Sequence, residues 1–237
     1  MATWWREACD LLLPVSCAGC GASGGSLCTS CLRAMTPRVV RADLDAGLPV
    51  WAAGRYEGTL RRVILAYKDG GRTDCGPALA GLLRAALRAA LTQVPAGEVV
   101  ARQGIRLTTV PSTRAAWRRR GYRPVPRLAS HAGLKPAQIL RPLRQSVDQA
   151  ALDRAAREEN RSGSLAARRV PAGSAWLLID DIVTTGATTR EVARAIGAAG
   201  GGLLGVVALA YTPRRVADAR DTPPVGEGGR GAWPALP

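Results

Sequence analysis

Residues 175–182 form a continuous apolar run into whose end two adjacent carboxylates, Asp180 and Asp181, are set, and Thr184, Thr185, Gly186, Ala187, Thr188 and Thr189 follow directly. A run of this kind, apolar on every position rather than alternate ones, reads as a strand buried on both faces, and that requires a parallel sheet covered by helices on either side. Residues 191–199 return to helical periodicity, and Thr188-x-x-Glu191 has the form of a capping box, which predicts a helix N-terminus beside the loop. Strand, tight loop and helix in this order lie at the C-terminal edge of an α/β sheet, where such folds bind their ligands.

The rest of the chain carries the same alternation. A helical stripe over residues 57–68 uses Leu60, Ile64, Leu65 and Tyr67; Asp74 is placed to cap an Ala/Leu/Arg helix over 77–93 that Pro95 and Gly97 end. Residues 105–110 read as a short strand closed by Pro111. Residues 114–131 read as helix interrupted at Gly121 and Pro124, with a new start near Val125. A weak strand over 138–143, a polar mobile loop or short helix over 145–164 and a last strand over 205–211 complete the pattern, which predicts an α/β domain over residues 49–212. Residues 1–48 form a small four-cysteine head, and residues 213–237, rich in Gly, Pro and Arg, read as a disordered tail.

The loop's residue types each suit one task. Gly186 lets the backbone turn and approach an anion, a helix N-terminus offers N–H groups to phosphate, and Thr184, Thr185 and Thr188 add hydroxyl donors. Asp180 and Asp181 supply acceptors for the neighbouring hydroxyls of a sugar, together with Mg²⁺. Carboxylates repel a bare phosphate, so the matching ligand presents both a phosphate and a diol.

Cys17-x2-Cys20 and Cys28-x2-Cys31 are two metal-binding pairs joined by a Gly/Ser-rich connection. Four thiolates close a tetrahedral site with no open position, so the expected role is structural and the favoured ion is Zn²⁺; an iron–sulfur cluster or free thiols are the alternatives. Cys9 and Cys75 lack partner spacing and read as buried, inert thiols. His131 is the only histidine; it sits on an Arg-rich helix, which makes it a surface residue rather than the base of a Ser-His-Asp mechanism.

With no Phe, two Lys among 33 basic residues and a formal charge of +15, the composition combines a coding bias toward Arg with a field that attracts phosphate, nucleic acid or acidic lipid. Trp117 and Tyr122 interleave with Arg114, Arg118, Arg119, Arg120, Arg123 and Arg127. This mixture suits backbone phosphates and stacked bases of single-stranded nucleic acid, or else forms a solvated helix face inflated by that bias. No apolar stretch reaches the ~18 residues of a membrane span. Glu7 and Asp10 interrupt the only short apolar leader, so a cytoplasmic, reducing location is expected.

The run from Asp180 to Thr188, two acidic residues followed by Thr-Thr-Gly-x-Thr, resembles the phosphoribosyl-pyrophosphate (PRPP) signature of type I phosphoribosyltransferases. More broadly, the chain resembles the ComF family of competence-associated, amidophosphoribosyltransferase-like proteins over roughly residues 9–212. The likeness is carried by the cysteine head, Tyr56-Glu57-Gly58 with Tyr67-Lys68, Val110-Pro111, and the spaced set Arg144, Ser146, Gln149, Leu152, Arg157 and Asn160. It implies a type I phosphoribosyltransferase-like, Rossmann-like fold with a zinc head, and PRPP as ligand. Asp180 and Asp181 would then be catalytic residues on the ribose and metal, and Thr184, Thr185, Gly186, Ala187 and Thr188 the 5′-phosphate cradle.

By the same resemblance Pro111, Ser112, Thr113 and Arg114 form the pyrophosphate loop, residues 145–160 a flexible loop near the active site, and Lys68 either a pyrophosphate contact or a solvated lysine. The chain departs from the family at Ser112-Thr113, in place of Leu-His, and at Gly121-Tyr122-Arg123-Pro124, in place of Gly-Phe-Asn-Gln. Those departures put turnover in question while leaving hydroxyl and guanidinium donors for pyrophosphate. Transfer of phosphoribose to an acceptor the sequence does not identify is one expectation. Single-stranded DNA binding through Trp117, Arg118, Arg119, Arg120 and Tyr122, in partnership with DNA-uptake machinery, is the other.

Overall fold

The computed structural model describes residues 15–44, 47–94, 104–143 and 163–212. Cys9, the set from Arg144 to Asn160 and the tail therefore lie outside the described residues. A helix α1 (Thr29–Ala34) leads into a hairpin, β1 (Val40–Asp43) and β2 (Pro49–Arg55). Then come α2 (Gly58–Lys68), a 3₁₀ turn (Thr73–Cys75), α3 (Gly76–Gln93), β3 (Ile105–Thr109), α4 (Arg114–Arg120) and α5 (Pro124–His131). The remainder is β4 (Leu140–Pro142), β5 (Leu165–Ala167), β6 (Ala175–Val183), α6 (Ala187–Ala198) and β7 (Gly202–Tyr211).

The central sheet has the order β1-β2-β7-β6-β3, parallel throughout except for β1, which pairs antiparallel with β2. β6 is interior to it, paired with β3 on one side and β7 on the other, and this is why its residues are apolar on both parities. Leu177 and Ile179 face a layer built by α2, α3 and α5 with Ile64, Leu79, Leu83 and Leu128, all fully buried. Leu178 faces the opposite layer, where Val192 and Ile196 of α6 meet Val50, Ala52, Val206 and Ala208. The molecule is thus a mixed α/β protein with a mostly parallel sheet covered on both faces, as the sequence predicts.

The local reasons are legible in most elements. α3 is an Ala/Leu-rich former with Pro77 in its first turn, and it stops at Val94, whose extended backbone suits the residue before a proline. Gly121, at φ 72°, ends α4, and Pro124 opens α5 one residue before the predicted start. Asp74 does not cap α3. It lies in the 3₁₀ turn and pairs with Arg72 at 2.7 Å. The strands β1, β2 and β5 are not anticipated by the sequence reading. Pro49, Ala52, Ala53 and Gly54 give β2 little intrinsic strand preference, and it is held instead by pairing with β7 and by burial of Trp51, whose indole donates to Gln93 at 2.9 Å. Because β1 belongs to the sheet, the hairpin crosses the boundary drawn at residue 48. No helix among the described residues is long and apolar enough to cross a membrane.

Candidate functional site

β3 and β6 are parallel neighbours, so the loops that follow them, residues 110–113 and 184–186, leave the same edge of the sheet. The predicted pyrophosphate loop and the predicted phosphate loop are thereby brought side by side by topology alone. Thr184, Thr185, Gly186, Ala187 and Thr188 form a small cup with Asp180 on its wall. Gly186 is the N-cap of α6 with φ 75°, a left-handed conformation that disfavours a side chain. A Cβ there would stand 2.9 Å from Leu44 Cδ1, in the turn of the β1–β2 hairpin. That hairpin therefore packs directly on the loop.

The capping box does not form. α6 begins at Ala187, two residues earlier than Thr188 as cap requires, and its N-cap makes no side-chain hydrogen bond. Glu191 is buried and accepts from the backbone N–H groups of Gly163 (3.0 Å) and Leu165 (2.7 Å) and from Arg194 (2.8 Å). The Arg194 guanidinium, first, and those N–H groups hold its carboxyl below the usual range against burial. Glu191 thus ties β5 to the helix that follows the Thr184–Gly186 loop.

Asp180 Oδ1 accepts from the N–H of Asp181, and Asp181 Oδ1 from that of Ile182, each at 2.8 Å. Burial, followed by the charge of Asp181, pushes the Asp180 carboxyl up to about 7. Asp181 is compensated directly, because Lys68 Nζ at the end of α2 lies 2.6 Å from its Oδ2. The residues on either side of Lys68 are equally engaged. The Tyr67 hydroxyl donates to the carbonyl of Pro124 at 3.1 Å, and Asp69 accepts from Arg120 Nη2 at 2.8 Å. Three successive side chains thus join the carboxylate pair to the Tyr122–Pro124 turn and to α4, a connection that spacing in the sequence does not announce.

That connection divides the predicted nucleic-acid set. Arg120 is tied to Asp69, Arg119 approaches the same carboxylate at 3.8 Å, and Tyr122 packs edge-on against Tyr67 with 6.0 Å between centroids. Trp117 and Arg118 remain together, lining a cleft of about 290 Å³ with Arg114 and Arg123, and Trp117 is 49% exposed. In the predicted pyrophosphate loop, the Thr113 hydroxyl caps α4 by accepting from Ala116 N–H at 3.1 Å. His131 is exposed, as expected, with its ring edge against Gly76.

Cys17, Cys20, Cys28 and Cys31 converge so that their sulfurs all lie within 4.8 Å of one another, and Cys20 and Cys28 Sγ are 3.7 Å apart. An ion with ~2.3 Å bonds to sulfur in a tetrahedron spaces its ligands by ~3.8 Å. The N–H of Cys28 donates to Cys17 Sγ and pulls that thiol down to about 6, whereas burial, and then the neighbouring sulfurs, push Cys31 up to about 12. Four sulfurs this close cannot all be thiolates without a cation among them, so the donor set fits a tetrahedral metal such as Zn²⁺. Gly19 allows the closure, since a Cβ there would lie 2.6 Å from Cys31 Sγ. Arg62 donates to the Gly19 carbonyl, and Arg72 donates to Ser16 (2.8 Å) and Ser26 (3.4 Å), which fastens the head to α2 and the 3₁₀ turn. Cys75 is fully buried, and burial pushes its thiol up to about 11, in keeping with an inert thiol.

No family model matches the chain, and no curated protein matches it. Among solved structures it is similar to an adenine phosphoribosyltransferase at 13% identity and a TM-score of 0.37, over 76% of this chain and 89% of that one. It is also similar, at 13% and 0.37, to adenine phosphoribosyltransferase from Saccharomyces cerevisiae solved with an imino-altritol bisphosphate and adenine, over 78% and 89%. Function has to be read from the site.

Proposed function

We propose that this protein binds PRPP with Mg²⁺ and transfers its phosphoribosyl group to an acceptor, releasing pyrophosphate. The observation that carries the reading is the pairing of Asp180 and Asp181 with the Thr184–Thr188 cup at the start of α6. The cup suits a 5′-phosphate, the carboxylates suit the ribose hydroxyls, and residues 111–114, at the same sheet edge, suit pyrophosphate. Mg²⁺ bound with the ligand supplies positive charge to pyrophosphate, and Asp180 and Asp181 are the residues that would hold it. Transfer at the anomeric carbon proceeds through an oxocarbenium-like state, so orientation and charge placement matter more than a strong base. Lys68, paired with Asp181, stands at the carboxylate pair and is the lysine assigned to pyrophosphate in this reading. Calorimetric titration of the zinc-loaded protein with PRPP and Mg²⁺ should show saturable binding, and its absence defeats the reading. Labelled PRPP with a panel of bases and amines would then identify the acceptor.

A second reading, a ComF-type role in DNA uptake through single-stranded DNA, is favoured by one observation, the Arg114, Trp117, Arg118 and Arg123 cleft with its half-exposed indole. Replacing Arg118 and Arg123 by Ala should lower the logarithmic salt slope of single-strand binding by about 0.7 per lost phosphate contact. Failure of the wild-type protein to bind single strands at low salt would leave those arginines as a solvated face.

A further inference from the structure

A cleft of about 450 Å³ lies where the end of α1, the start of β1, the end of β2 and the start of α2 meet. That volume falls within the ~300–1,000 Å³ usual for small-molecule sites. Met35, Ala53 and Leu60 line it with apolar surface, while Arg38, Arg55 and Glu57 line it with charge. Arg62, one turn further along α2, is fixed by the Gly19 carbonyl and the hydroxyl of Thr59, a lining residue. Arg38 and Arg55, by contrast, make no side-chain hydrogen bond or ion pair among the described residues. Two unpaired guanidinium groups against one carboxylate leave a net positive lining, and the planar guanidinium fork matches phosphate and carboxylate oxygens in pairs.

The cleft is distinct from the phosphate loop. It opens at the end of β2, whereas Asp180 is on β6, and β7 lies between them. Two strand spacings amount to ~10 Å. α2, with 11 residues, is ~16 Å long and has its first turn in the cleft and Lys68 at Asp181.

We propose that this cleft binds a small aromatic anion, a flat apolar body on Met35, Ala53 and Leu60 carrying a phosphate or carboxylate held by Arg38 and Arg55. The assignment stands whether or not PRPP binds at the loop. The test is calorimetry on the full chain with phenyl phosphate, inorganic phosphate and phenol as probes. Phenyl phosphate should bind saturably, and the other two at least ~10-fold more weakly, because each lacks half of the recognition. The double variant Arg38→Ala/Arg55→Ala should weaken phenyl phosphate by at least ~10-fold, the scale of one lost charge-assisted contact. Its melting temperature should hold, since both side chains are unpaired, and Arg38→Lys/Arg55→Lys should recover part of the affinity. Equal binding of inorganic phosphate, no saturable binding of phenyl phosphate, or an indifferent double variant each overturns the proposal. If affinity falls in Thr185→Ala instead, the probe sits on the phosphate loop and the cleft assignment is wrong.

Discussion

In the head, four sulfurs are drawn within 4.8 Å of one another, and an N–H bond to Cys17 together with three clamped carbonyls fixes them there. At the end of β6, two carboxylates are adjacent as well, but among the described residues Asp181 alone is ion-paired, and Asp180 carries its burial and the repulsion of Asp181 as a carboxyl pushed up to about 7. Both regions hold like charges that need a positive partner. The head offers a complete set of four donors, which suits an ion that stays. The strand end sets Asp180 on the wall of an open cup, with Asp181 buried behind it, which suits a ligand that comes and goes.

The strongest way to break that contrast is to remove the ion. Structural zinc in small thiolate sites is worth on the order of 10 kcal/mol of folding free energy. Cys31→Ser, or treatment with a strong chelator, should therefore release about one zinc per chain and melt α1, read by metal analysis and far-UV circular dichroism. A head that keeps its structure without metal would make the cysteines a packing feature.

On the other side, Gly186→Val places a β-branched residue at φ 75° and drives its Cβ against Leu44. Left-handed strain alone costs ~1–3 kcal/mol. The variant should lose about that much stability and all measurable PRPP binding, whereas zinc content stays at the wild-type level. Zinc loss in this variant would mean that head and loop fold as one cooperative unit.

Asp180 should show the opposite sign. Its folded pKa is raised above the ~3.9 of an unfolded aspartate, so between about pH 4 and 7 the folded state keeps a proton that the unfolded state has lost. Stability contributed by this group therefore falls as pH rises through that window and is level above it. Asp180→Asn should raise stability at pH 8 by on the order of 2 kcal/mol, leave it unchanged at pH 4, and weaken PRPP binding. A variant no more stable than wild type at pH 8 would show that Asp180 is already compensated in the folded protein.

What could be read from the sequence follows the same division. The cysteine pairs and the Asp180–Thr188 run are legible because their chemistry is local: the spacing itself carries the donor set. The sheet around them is less so, since β2 owes its form to β7 and not to its own residues, and β5 is held by Glu191 from across the fold. Glu191 shows why. At the right spacing for a capping box it is instead a buried anchor, because the helix starts at Ala187 with Gly186 as its cap, and a two-stranded ribbon, β4–β5, arrives to use the carboxylate. The partners of Lys68 and Arg120 are likewise set by how α2 crosses the sheet edge, which no short motif encodes.

The smallest expected effect tests the seam between the two regions. Arg72 fastens the head to the α/β body through one side chain, donating to Ser16 and Ser26 of the head while pairing with Asp74 at the turn into α3. The pair with Asp74 is partly exposed, and surface pairs contribute ~0–1 kcal/mol; the two carbonyl bonds add about as much again. Arg72→Ala should therefore cost only about 1–2 kcal/mol overall, and its informative readout is where that loss appears. If the head is an inserted brace, hydrogen exchange should quicken at residues 16–31 while the amides of β6 and α6 keep their protection, since local opening draws on local contacts. Equal acceleration in both regions would mean that the cysteine cluster and the loop after β6 share one unfolding unit. The permanence of the first would then help hold the second in shape, and Arg72, rather than the hairpin carrying Leu44, would be the link between them.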